Sequence, residues 1–475
     1  MSRGNVIQDF RNIVGAAGVI IDESILKRES IDYVGYRNWE RYNGHYNAKI
    51  PICVVKPESV PQLSQVMKYL NEHHIIAIPK TGGSCATSGL EVIDPNTVVV
   101  DISGMNKIID FSTENMTVTV QCGVALEYLE EYLNKRGYTT GHFPQSLPMA
   151  QVGGLTATRS IGQFSTYYGG IEDMVVGLEA VMPNGDVARI KNVPRRAAGP
   201  DIRHIFIGSE GTLALITEVT LKIFKYDPSA QWQMAYAVKD MKTGLDIIRE
   251  FMTAGYKPAV VRLHDDYEAQ ADYSSFVEEG ECILLLIADG VGEISKITGT
   301  AIDQICRSRE ARAIGTKPVE VWLEHRNDLC NEMDDSKTLR NGLITETCEI
   351  SALWSDVYGI YETVIQKAKE TIDELVYFCG HSSHSYIQGT NIYFKFGFQA
   401  KEDDRENEKL YFDILRLIIE EALAANGSMA HHHGIGKYRA EWTAQEHGSA
   451  YPILKALKDT FDPNNIMNVG TIYSK

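Results

Sequence analysis

The segment Pro79-Lys80-Thr81-Gly82-Gly83-Ser84-Cys85-Ala86-Thr87-Ser88-Gly89 follows an apolar run, residues 75–78, whose pattern predicts a buried strand. A strand that ends in proline and continues mostly in small residues leaves its next backbone N–H groups uncovered, and successive amides of this kind can surround a pyrophosphate. The segment matches neither the dinucleotide motif G-x-G-x-x-G nor the Walker motif with its Gly-Lys-Ser/Thr. It therefore indicates either a nucleotide site in a different fold or an ordinary turn between two strands.

The size and charge of the chain exclude several classes of protein. Its 475 residues are too many for one hydrophobic core and predict two or three domains. The net charge of −17 argues against nucleic-acid binding, because the chain would repel a phosphate backbone. No apolar stretch approaches the roughly 20 residues of a membrane span, and the first residues do not resemble a signal peptide. We expect a cytoplasmic protein with reduced thiols, since the eight cysteines are scattered and form no C-x-x-C motif.

The first 225 residues have the pattern of an α+β domain in two parts. In the first part, a helix is predicted over 60–74, with Ser59 as its N-cap and Pro61 in its first turn. The remaining elements of this part are strands over 75–78, 97–102 and 117–122 and a helix over 126–135. The second part has strands over 174–182, 186–190 and 213–224, and Pro183-Asn184-Gly185 predicts a hairpin turn between the first two.

A second α+β domain is predicted after Pro228. Its helices are expected at about 241–254, 293–307, 354–372 and 405–425. Its strands are expected at about 259–265, 282–288 and 390–398. The last 50 residues have few strand patterns, so we expect them to pack back on the other domains.

Three further segments lack a core pattern and are candidates for a ligand site, because a long loop without such a pattern needs a reason to be ordered. They are residues 141–146 with 151–162, residues 208–213, and residues 431–437, which contain His431-His432-His433. Each of the first two also fits a surface turn, and the third also fits a solvated histidine run. Three adjacent histidines cannot share one face of a helix or strand, so at most two of them can point into a site.

Together these motifs resemble those of the vanillyl-alcohol-oxidase (p-cresol-methylhydroxylase) family of FAD flavoproteins, over nearly the whole chain. The resemblance rests on the 79–85 loop, Ser146…Val152-Gly153-Gly154…Thr158-Arg159, Tyr168-Gly169…Glu172-Asp173, Gly208-Ser209-Glu210-Gly211-Thr212-Leu213 and Phe461-Asp462-Pro463-Asn464-Asn465…Asn468. Within the family, the chain most resembles alkyl-dihydroxyacetonephosphate synthase, through residues 199–202, Ile392-Tyr393-Phe394 and the 431–437 segment. It also resembles uncharacterised bacterial FAD-linked oxidoreductases, through residues 193–203 and 380–386.

The resemblance implies an α+β fold with a cofactor domain and a cap. Residues 1–225 would form an FAD-binding domain of two α+β subdomains of the p-cresol-methylhydroxylase type, residues 226–425 an α+β cap that carries the substrate face, and residues 426–475 a C-terminal segment that packs back on the FAD domain. By motif position, the implied FAD-binding residues are Pro79, Lys80, Thr81, Gly82, Gly83, Ser84, Cys85, Gln145, Ser146, Gln151, Gly153, Thr158, Arg159, Ser160, Ile161, Glu210, Gly211, Thr212 and Ile216.

The resemblance also implies three catalytic residues. The family's active-site tyrosine corresponds to Tyr393, its catalytic histidine to His432, and an arginine that faces the substrate to Arg262. The synthase has a second arginine twelve residues before its tyrosine, where this chain has His381, and that difference argues against ether-forming chemistry. Family members with covalent FAD often attach it through a histidine in the first loop, which has none here, so we expect non-covalent FAD.

A divalent metal is a further implication of the resemblance. Relatives that oxidise 2-hydroxy acids bind one through a Gly-His…Asn-x-His segment and a Glu-His-Gly-Ile-Gly segment. Residues 380–381 with 391–393 correspond to the first segment and residues 432–436 to the second, with tyrosine replacing a histidine and histidine replacing the glutamate. The candidate metal ligands are therefore His381, His384 and His432.

We expect an FAD-dependent dehydrogenase or oxidase that acts on the CH–OH group of a small anionic substrate such as a 2-hydroxy acid. Arg262 has the planar donor fork that suits a carboxylate or phosphate, and Tyr393 and His432 have side chains that can move a proton. Two alternatives stay open: a synthase-like transferase with no net redox change, and an inactive flavin subunit of an electron-transfer assembly. The electron acceptor and the oligomeric state, with a homodimer as one option, also stay open.

Overall fold

The computed structural model describes residues 2–46, 49–328 and 341–474. The first part of the chain contains α1 (Arg3–Val14), β1 (Val19–Ile20), α2 (Glu23–Arg28), α3 (Gly35–Tyr42), β2 (Cys53–Val55), α4 (Val60–Glu72), β3 (Ile76–Lys80) and β4 (Thr97–Asp101). Its sheet has the order β1-β2-β4-β3, with parallel pairing of β4 to both β2 and β3. Helix α4 confirms the helix predicted at 60–74, because the Ser59 side chain accepts the Gln62 N–H and the apolar positions at helical spacing are buried.

The second part of this region forms an antiparallel sheet. Its elements are β5 (Ile108–Ser112), β6 (Thr117–Gln121), α5 (Leu126–Asn134), β7 (Tyr138–Thr139), α6 (Val152–Ala157), α7 (Ser165–Tyr168), α8 (Ile171–Met174), β8 (Val175–Val181), β9 (Val187–Ile190), α9 (Arg203–Phe206), β10 (Leu215–Lys222) and β11 (Phe224–Lys225). The sheet order is β5-β6-β10-β8-β9, and β7 pairs with β11 separately. The predicted hairpin at residues 183–185 is confirmed, since β8 and β9 pair on either side of it.

The next region is built on one seven-stranded antiparallel sheet of order β15-β12-β14-β13-β17-β18-β16. Its elements are β12 (Trp232–Val238), α10 (Met241–Thr253), β13 (Val260–His264), α11 (Asp266–Tyr273), β14 (Cys282–Ala288), α12 (Ile294–Ser308), β15 (Arg312–Gly315), α13 (Lys317–His325), β16 (Leu343–Leu353), α14 (Val357–Thr371), β17 (Leu375–Ser382), β18 (Gly389–Gln399) and α15 (Asp404–Ala424). The sequence pattern predicted β13, β14 and β18 of this sheet, together with α10, α12, α14 and α15.

The two faces of this sheet pack into different hydrophobic cores. Along β14, Ile283, Leu285 and Ile287 belong to the core shared with the first 225 residues, whereas Leu284 and Leu286 belong to the core under the sheet's own helices. Successive side chains of a strand point to opposite faces. One face of the sheet, called the inner face here, is therefore turned toward the N-terminal region.

The C-terminal residues return to the N-terminal sheet. They contain α16 (Thr443–His447) and α17 (Tyr451–Phe461). Beyond α17, the Ala77 N–H donates to the carbonyl of Ile466 at 2.7 Å and the Asn468 N–H donates to the carbonyl of Ala77 at 2.8 Å. These bonds place the end of the chain along β3, the edge strand of its sheet. Among the described helices, none combines the length and apolar composition that crossing a bilayer requires.

Candidate active site

A cavity of about 640 Å³ lies between the N-terminal region and the inner face of the seven-stranded sheet. Among the residues predicted to hold the cofactor, those that line it are Pro79, Lys80, Thr81, Gly82, Gly83, Ser84, Cys85, Gln145, Ser146, Gln151, Gly153, Thr158, Ser160, Ile161, Glu210, Gly211 and Ile216. The predicted catalytic and metal-binding residues Arg262, His381, His384, Tyr393 and His432 line it as well. Residues from seven separated parts of the sequence therefore meet at one cavity.

The loop after β3 presents uncovered amides to this cavity. Within the described ranges, the backbone N–H groups of residues 81–85 donate no hydrogen bond to the protein. A side chain at Gly82 would collide with the carbonyl of Met149 and would lie 2.9 Å from the Gln151 nitrogen, so only glycine lets the two loops meet. Among the described residues, the buried Oε1 of Gln151, which lies in the lining, has no hydrogen-bond partner. The free amides fit the pyrophosphate of a bound cofactor, and the free acceptor fits an N–H or hydroxyl group of the same cofactor.

Two of the predicted cofactor residues lie outside the lining. Arg159 is in the left-handed backbone region at φ 54°, and its Nε donates to Glu172 at 3.1 Å, with the side chain 60% exposed. Thr212 is fully buried, where its hydroxyl donates to the carbonyl of Ser209 at 2.7 Å and its carbonyl accepts from Lys458. Both side chains thus have protein partners in place of a contact with the cavity.

The C-terminal segment is tied to both cofactor loops. The carboxylate of Glu210 accepts the N–H groups of Ile435 and Gly436 at 2.7 and 2.8 Å. Lys437 Nζ donates to the carbonyl of Gly89 at 2.8 Å and to Asn468 at 2.9 Å. A side chain at Gly436 would overlap the carbonyl of Thr87. Glu210, predicted as a cofactor contact, therefore also positions the histidine segment.

A buried carboxyl lies behind the first loop. The Cys85 thiol donates to Asp32 at 2.9 Å, and the second carboxyl oxygen of Asp32 finds no partner in the described part of the chain. Burial raises the pKa of Asp32 from its ordinary 3.8 to about 7. Between about pH 4 and pH 7 the folded chain therefore keeps a proton that the unfolded chain has released.

We expect this carboxyl to make the protein less stable as the pH rises from 5 to 8. The unfolding free energy falls because the folded state binds more protons up to about pH 7, and the part of the decline between pH 5 and 7 amounts to about 3 kcal/mol. We would measure the unfolding free energy by urea denaturation at each pH. In Asp32→Asn this free energy should lack the fall that Asp32 causes, whereas Asp110→Asn, at an exposed position, should show the same fall as the wild type. An equal pH dependence in the wild type and Asp32→Asn would contradict the prediction.

Tyr393 stands between two histidines on the inner face. It alternates in β18 with Ile392 and Phe394, which belong to the core on the other side. Its ring is stacked on that of His381, with centroids 4.7 Å apart, and on that of His432, with centroids 5.6 Å apart. Burial raises the pKa of its hydroxyl to about 12, so at neutral pH the phenol keeps its proton.

Arg262 is held by a network that sequence reasoning did not predict. Its Nε donates to His264 Nε2 at 2.9 Å, and its Nη2 lies 3.1 Å from His381 Nε2. Behind the histidines lies Glu268, which is fully buried and also pairs with Lys395 at 2.7 Å. Lys395 could have been found from the sequence, because it lies two residues after Tyr393 in a predicted strand and so on the same face.

The predicted metal ligands divide between two groups. The ring nitrogens of His384, His431 and His432 lie within 4.8 Å of one another, whereas His381 belongs to a second group with His264 and Glu268. His431 Nδ1 lies 2.9 Å from His432 Nδ1. Burial lowers the pKa of His384 and His432 well below its ordinary value, so these imidazoles are neutral at physiological pH.

A buried carboxylate fixes the histidine segment. Glu349 accepts the N–H groups of His432 and His433 at 3.2 and 2.8 Å, and its second oxygen lies 2.9 Å from His433 Nδ1. It also pairs with Arg439 at 3.0 Å. Burial acts to raise the pKa of Glu349, but the charge of Arg439 and the contact with His433 together outweigh it and hold this pKa well below its usual range. The backbone under His432 is thereby fixed by a fully paired charge.

The chain matches models of known protein families and is similar to individual known proteins. A family model described as FAD binding domain matches residues 51–191, and one described as FAD linked oxidases, C-terminal domain, matches residues 227–472. The uncharacterised FAD-linked oxidoreductase YgcU of Escherichia coli K12 is 47% identical over 481 residues, which cover 100% of this chain and 99% of that protein.

Other relatives have named activities. An alkyldihydroxyacetonephosphate synthase of Caenorhabditis elegans is 29% identical over 88% of this chain and 75% of its own length. A mitochondrial D-lactate dehydrogenase [cytochrome] of Arabidopsis thaliana is 27% identical over 90% of this chain and 74% of its own length.

Solved structures share the fold. An alkyldihydroxyacetonephosphate synthase structure superposes with a TM-score of 0.83 at 22% identity, covering 98% of this chain and 86% of that one. A p-cresol methylhydroxylase structure with substrate bound gives 0.78 at 18% identity, covering 99% and 97%. The predicted α+β fold with an FAD-binding domain of the p-cresol-methylhydroxylase type is confirmed.

Proposed function

Because the chain belongs to the FAD-linked oxidoreductase family and its cofactor is FAD, we propose that it oxidises the CH–OH group of a small anionic alcohol, such as a 2-hydroxy acid. One observation carries the proposal: two cations, Arg262 and Lys395, line the same cavity as Tyr393 and His432. A guanidinium and an ammonium beside a candidate base suit a substrate that carries both an anionic group and a hydroxyl.

The residues of the chain would divide the chemistry among them. FAD, when bound, supplies the acceptor for the hydride of the C–H bond. The amides of residues 81–85 and the Gln151 side chain would hold it, without a covalent bond, since the loop has no histidine. Arg262 would hold the anionic group of the substrate in its donor fork.

His432 is the proposed base for the hydroxyl proton. A neutral imidazole has a basic ring nitrogen for that proton, whereas the Tyr393 phenol keeps its own proton at neutral pH and its oxygen is far too weak a base to take a second one. His431 Nδ1, 2.9 Å from His432 Nδ1, can share the proton once His432 has accepted it. Tyr393 is stacked against His432 and would hold the imidazole ring of His432 in place.

A divalent metal held by His384, His431 and His432 is the alternative use of this cluster. Three neutral imidazoles are suitable ligands, but a metal would occupy the lone pair that a base needs. We therefore expect that dialysis against EDTA leaves the rate of flavin reduction unchanged. Loss of activity that returns with Zn²⁺ or Mn²⁺, together with loss of bound metal in His384→Ala, would assign the cluster to a metal.

A second candidate is a transferase like the synthases to which the chain is similar, which would show no net redox change. Against it, His381 occupies the position of the synthase's second arginine, and its two ring nitrogens face Arg262 and Glu268. The distinguishing assay is ether formation from an acyl-dihydroxyacetone phosphate and a fatty alcohol, and we expect no product.

The proposed oxidation is tested by mixing the FAD-loaded protein with D-lactate, L-lactate, glycolate and longer 2-hydroxy acids without oxygen. We expect at least one of them to bleach the flavin absorbance, and the corresponding 2-oxo acid to appear in equal amount. The same acids without the hydroxyl group serve as controls. Failure of every hydroxylated acid to reduce the flavin would overturn the proposal.

A further inference from the structure

Glu268 is a fully buried carboxylate that makes three close contacts on the inner face. One oxygen lies 2.9 Å from His264 Nδ1 and 2.8 Å from His381 Nδ1, and the other lies 2.7 Å from Lys395 Nζ. The Glu268 side chain is only 3% exposed. An isolated buried carboxylate is costly, so these three partners are what makes the charge tolerable.

The two histidines connect this carboxylate to Arg262. A guanidinium has no acceptor, so His264 and His381 must each accept its N–H groups through Nε2. Each neutral ring then carries its proton on Nδ1. His381 Nδ1 makes a hydrogen bond of 2.8 Å with Glu268, whereas His264 Nδ1 lies 2.9 Å from the same oxygen without the alignment of a hydrogen bond. The orientation of the Arg262 fork is therefore fixed by a carboxylate that does not touch it.

The same residues could be taken for a two-histidine, one-carboxylate metal site. Two features argue against a metal there. The Nδ1 atoms carry the protons that face the carboxylate, and two cations, Arg262 and Lys395, already lie around the group. A divalent ion would need to displace the protons and would be repelled by both cations.

The charge of the cluster limits what it can bind. Arg262 and Lys395 contribute two positive charges, Glu268 contributes one negative charge, and the histidines are neutral because each accepts an Arg262 N–H group through Nε2. The balance is one positive charge at the cavity wall. In the part of the chain that is described, Arg262 Nη1 has no acceptor, so one edge of the fork is free for a ligand.

We propose that Glu268 is a positioning residue, which fixes Arg262 through His264 and His381 and so makes the site select a single carboxylate over a phosphate dianion. This inference rests on the proposed function and specifies its substrate class. A monocarboxylate would neutralise the cluster, whereas a dianion would leave an uncompensated negative charge in a buried site.

The test measures the binding of pyruvate and of inorganic phosphate to the FAD-loaded protein at pH 8. The readout is the shift that each anion produces in the flavin absorbance. We expect pyruvate to bind the wild type about 10-fold or more tightly than phosphate. Glu268→Gln removes the negative charge, and its NH2 group must face either the two histidines or Lys395, so one of these sets of contacts is lost. Its affinity for pyruvate should fall about 10-fold or more, while Glu279→Gln, at an exposed position, should bind like the wild type.

Two further measurements separate positioning from a general structural role. With a 2-hydroxy acid that reduces the flavin, Glu268→Gln should raise KM far more than it lowers kcat, and Glu268→Asp should recover part of the loss. Arg262→Lys keeps the charge but loses the two histidine contacts. Arg262→Lys should lower pyruvate affinity by the same factor as Glu268→Gln. The variant that carries both substitutions should bind pyruvate as tightly as either single variant.

The possible results are distinct. Pyruvate affinity that is unchanged in Glu268→Gln, or additive losses in the double variant, overturn the positioning role and leave the proposed oxidation standing. If Glu268→Gln does not fold, unchanged pyruvate affinity in Arg262→Lys overturns the positioning role. If phosphate binds the wild type as tightly as pyruvate does, the proposed selection by charge is wrong. Absence of flavin reduction by every 2-hydroxy acid, with pyruvate binding still dependent on Glu268, overturns the proposed function alone.

Discussion

His432→Ala is expected to keep its FAD and to lose flavin reduction by about 10²- to 10⁴-fold, the range that a general base contributes. The histidine lines the cavity beside Tyr393, and its backbone is held by Glu349, so the loss of the ring should leave the rest of the segment in place. Rapid mixing with a reducing 2-hydroxy acid, without oxygen, measures the rate directly.

The control for this variant is His447→Ala, which removes an exposed imidazole at the end of α16. It should reduce its flavin at the wild-type rate. Tyr393→Phe should have a smaller effect than His432→Ala, because the ring stacking survives and the phenol is not the proposed base. A His432→Ala rate within a few fold of the wild type would show that another group takes the proton.

Gly82→Ala is expected to be purified without colour. Its methyl group would meet backbone on two sides, the carbonyl of Met149 and the nitrogen of Gln151, and neither can move as a flexible side chain would. The loop must then shift, and the amides of residues 81–85 no longer point at one place. We expect FAD affinity to fall at least about 100-fold, which corresponds to the loss of one or two charge-assisted hydrogen bonds.

Fluorescence titration of the FAD-free protein with FAD measures this loss, and the ratio of flavin to protein absorbance reports it after purification. Gly104→Ala is the matched control, because a side chain there would meet nothing within 4 Å. It should bind FAD like the wild type. Normal FAD affinity in Gly82→Ala would mean that the cofactor phosphates lie elsewhere in the cavity.

Local patterns predicted the elements that combine regular apolar spacing with a clear boundary signal. Helix α4 and the β8–β9 hairpin are of this kind, because a capping serine or a Pro-Asn-Gly turn lies next to regular apolar spacing. Strands β16 and β17 were missed. Their inner-face residues, among them Glu349 and His381, are polar because they line or support the cavity, so the apolar alternation that marks a strand is interrupted.

The sequence could predict those residues of the candidate site that lie within recognisable motifs. Arg262, Tyr393 and His432 come from three distant segments and meet because β13 and β18 share one sheet face and Glu349 fixes the third segment. Glu268 could not be found in this way. It lies in α11, and only the packing of that helix beside β17 brings it to His381.

The hydrogen bonds of Ala77 to Ile466 and Asn468 make the segment after α17 a support of the cofactor loop, although the two lie far apart in the sequence. Without that segment the outer side of β3 would present unpaired backbone groups, which can pair with another chain. A protease cut between α17 and Ile466 would therefore free the strand that leads into the cofactor loop and open an edge for aggregation.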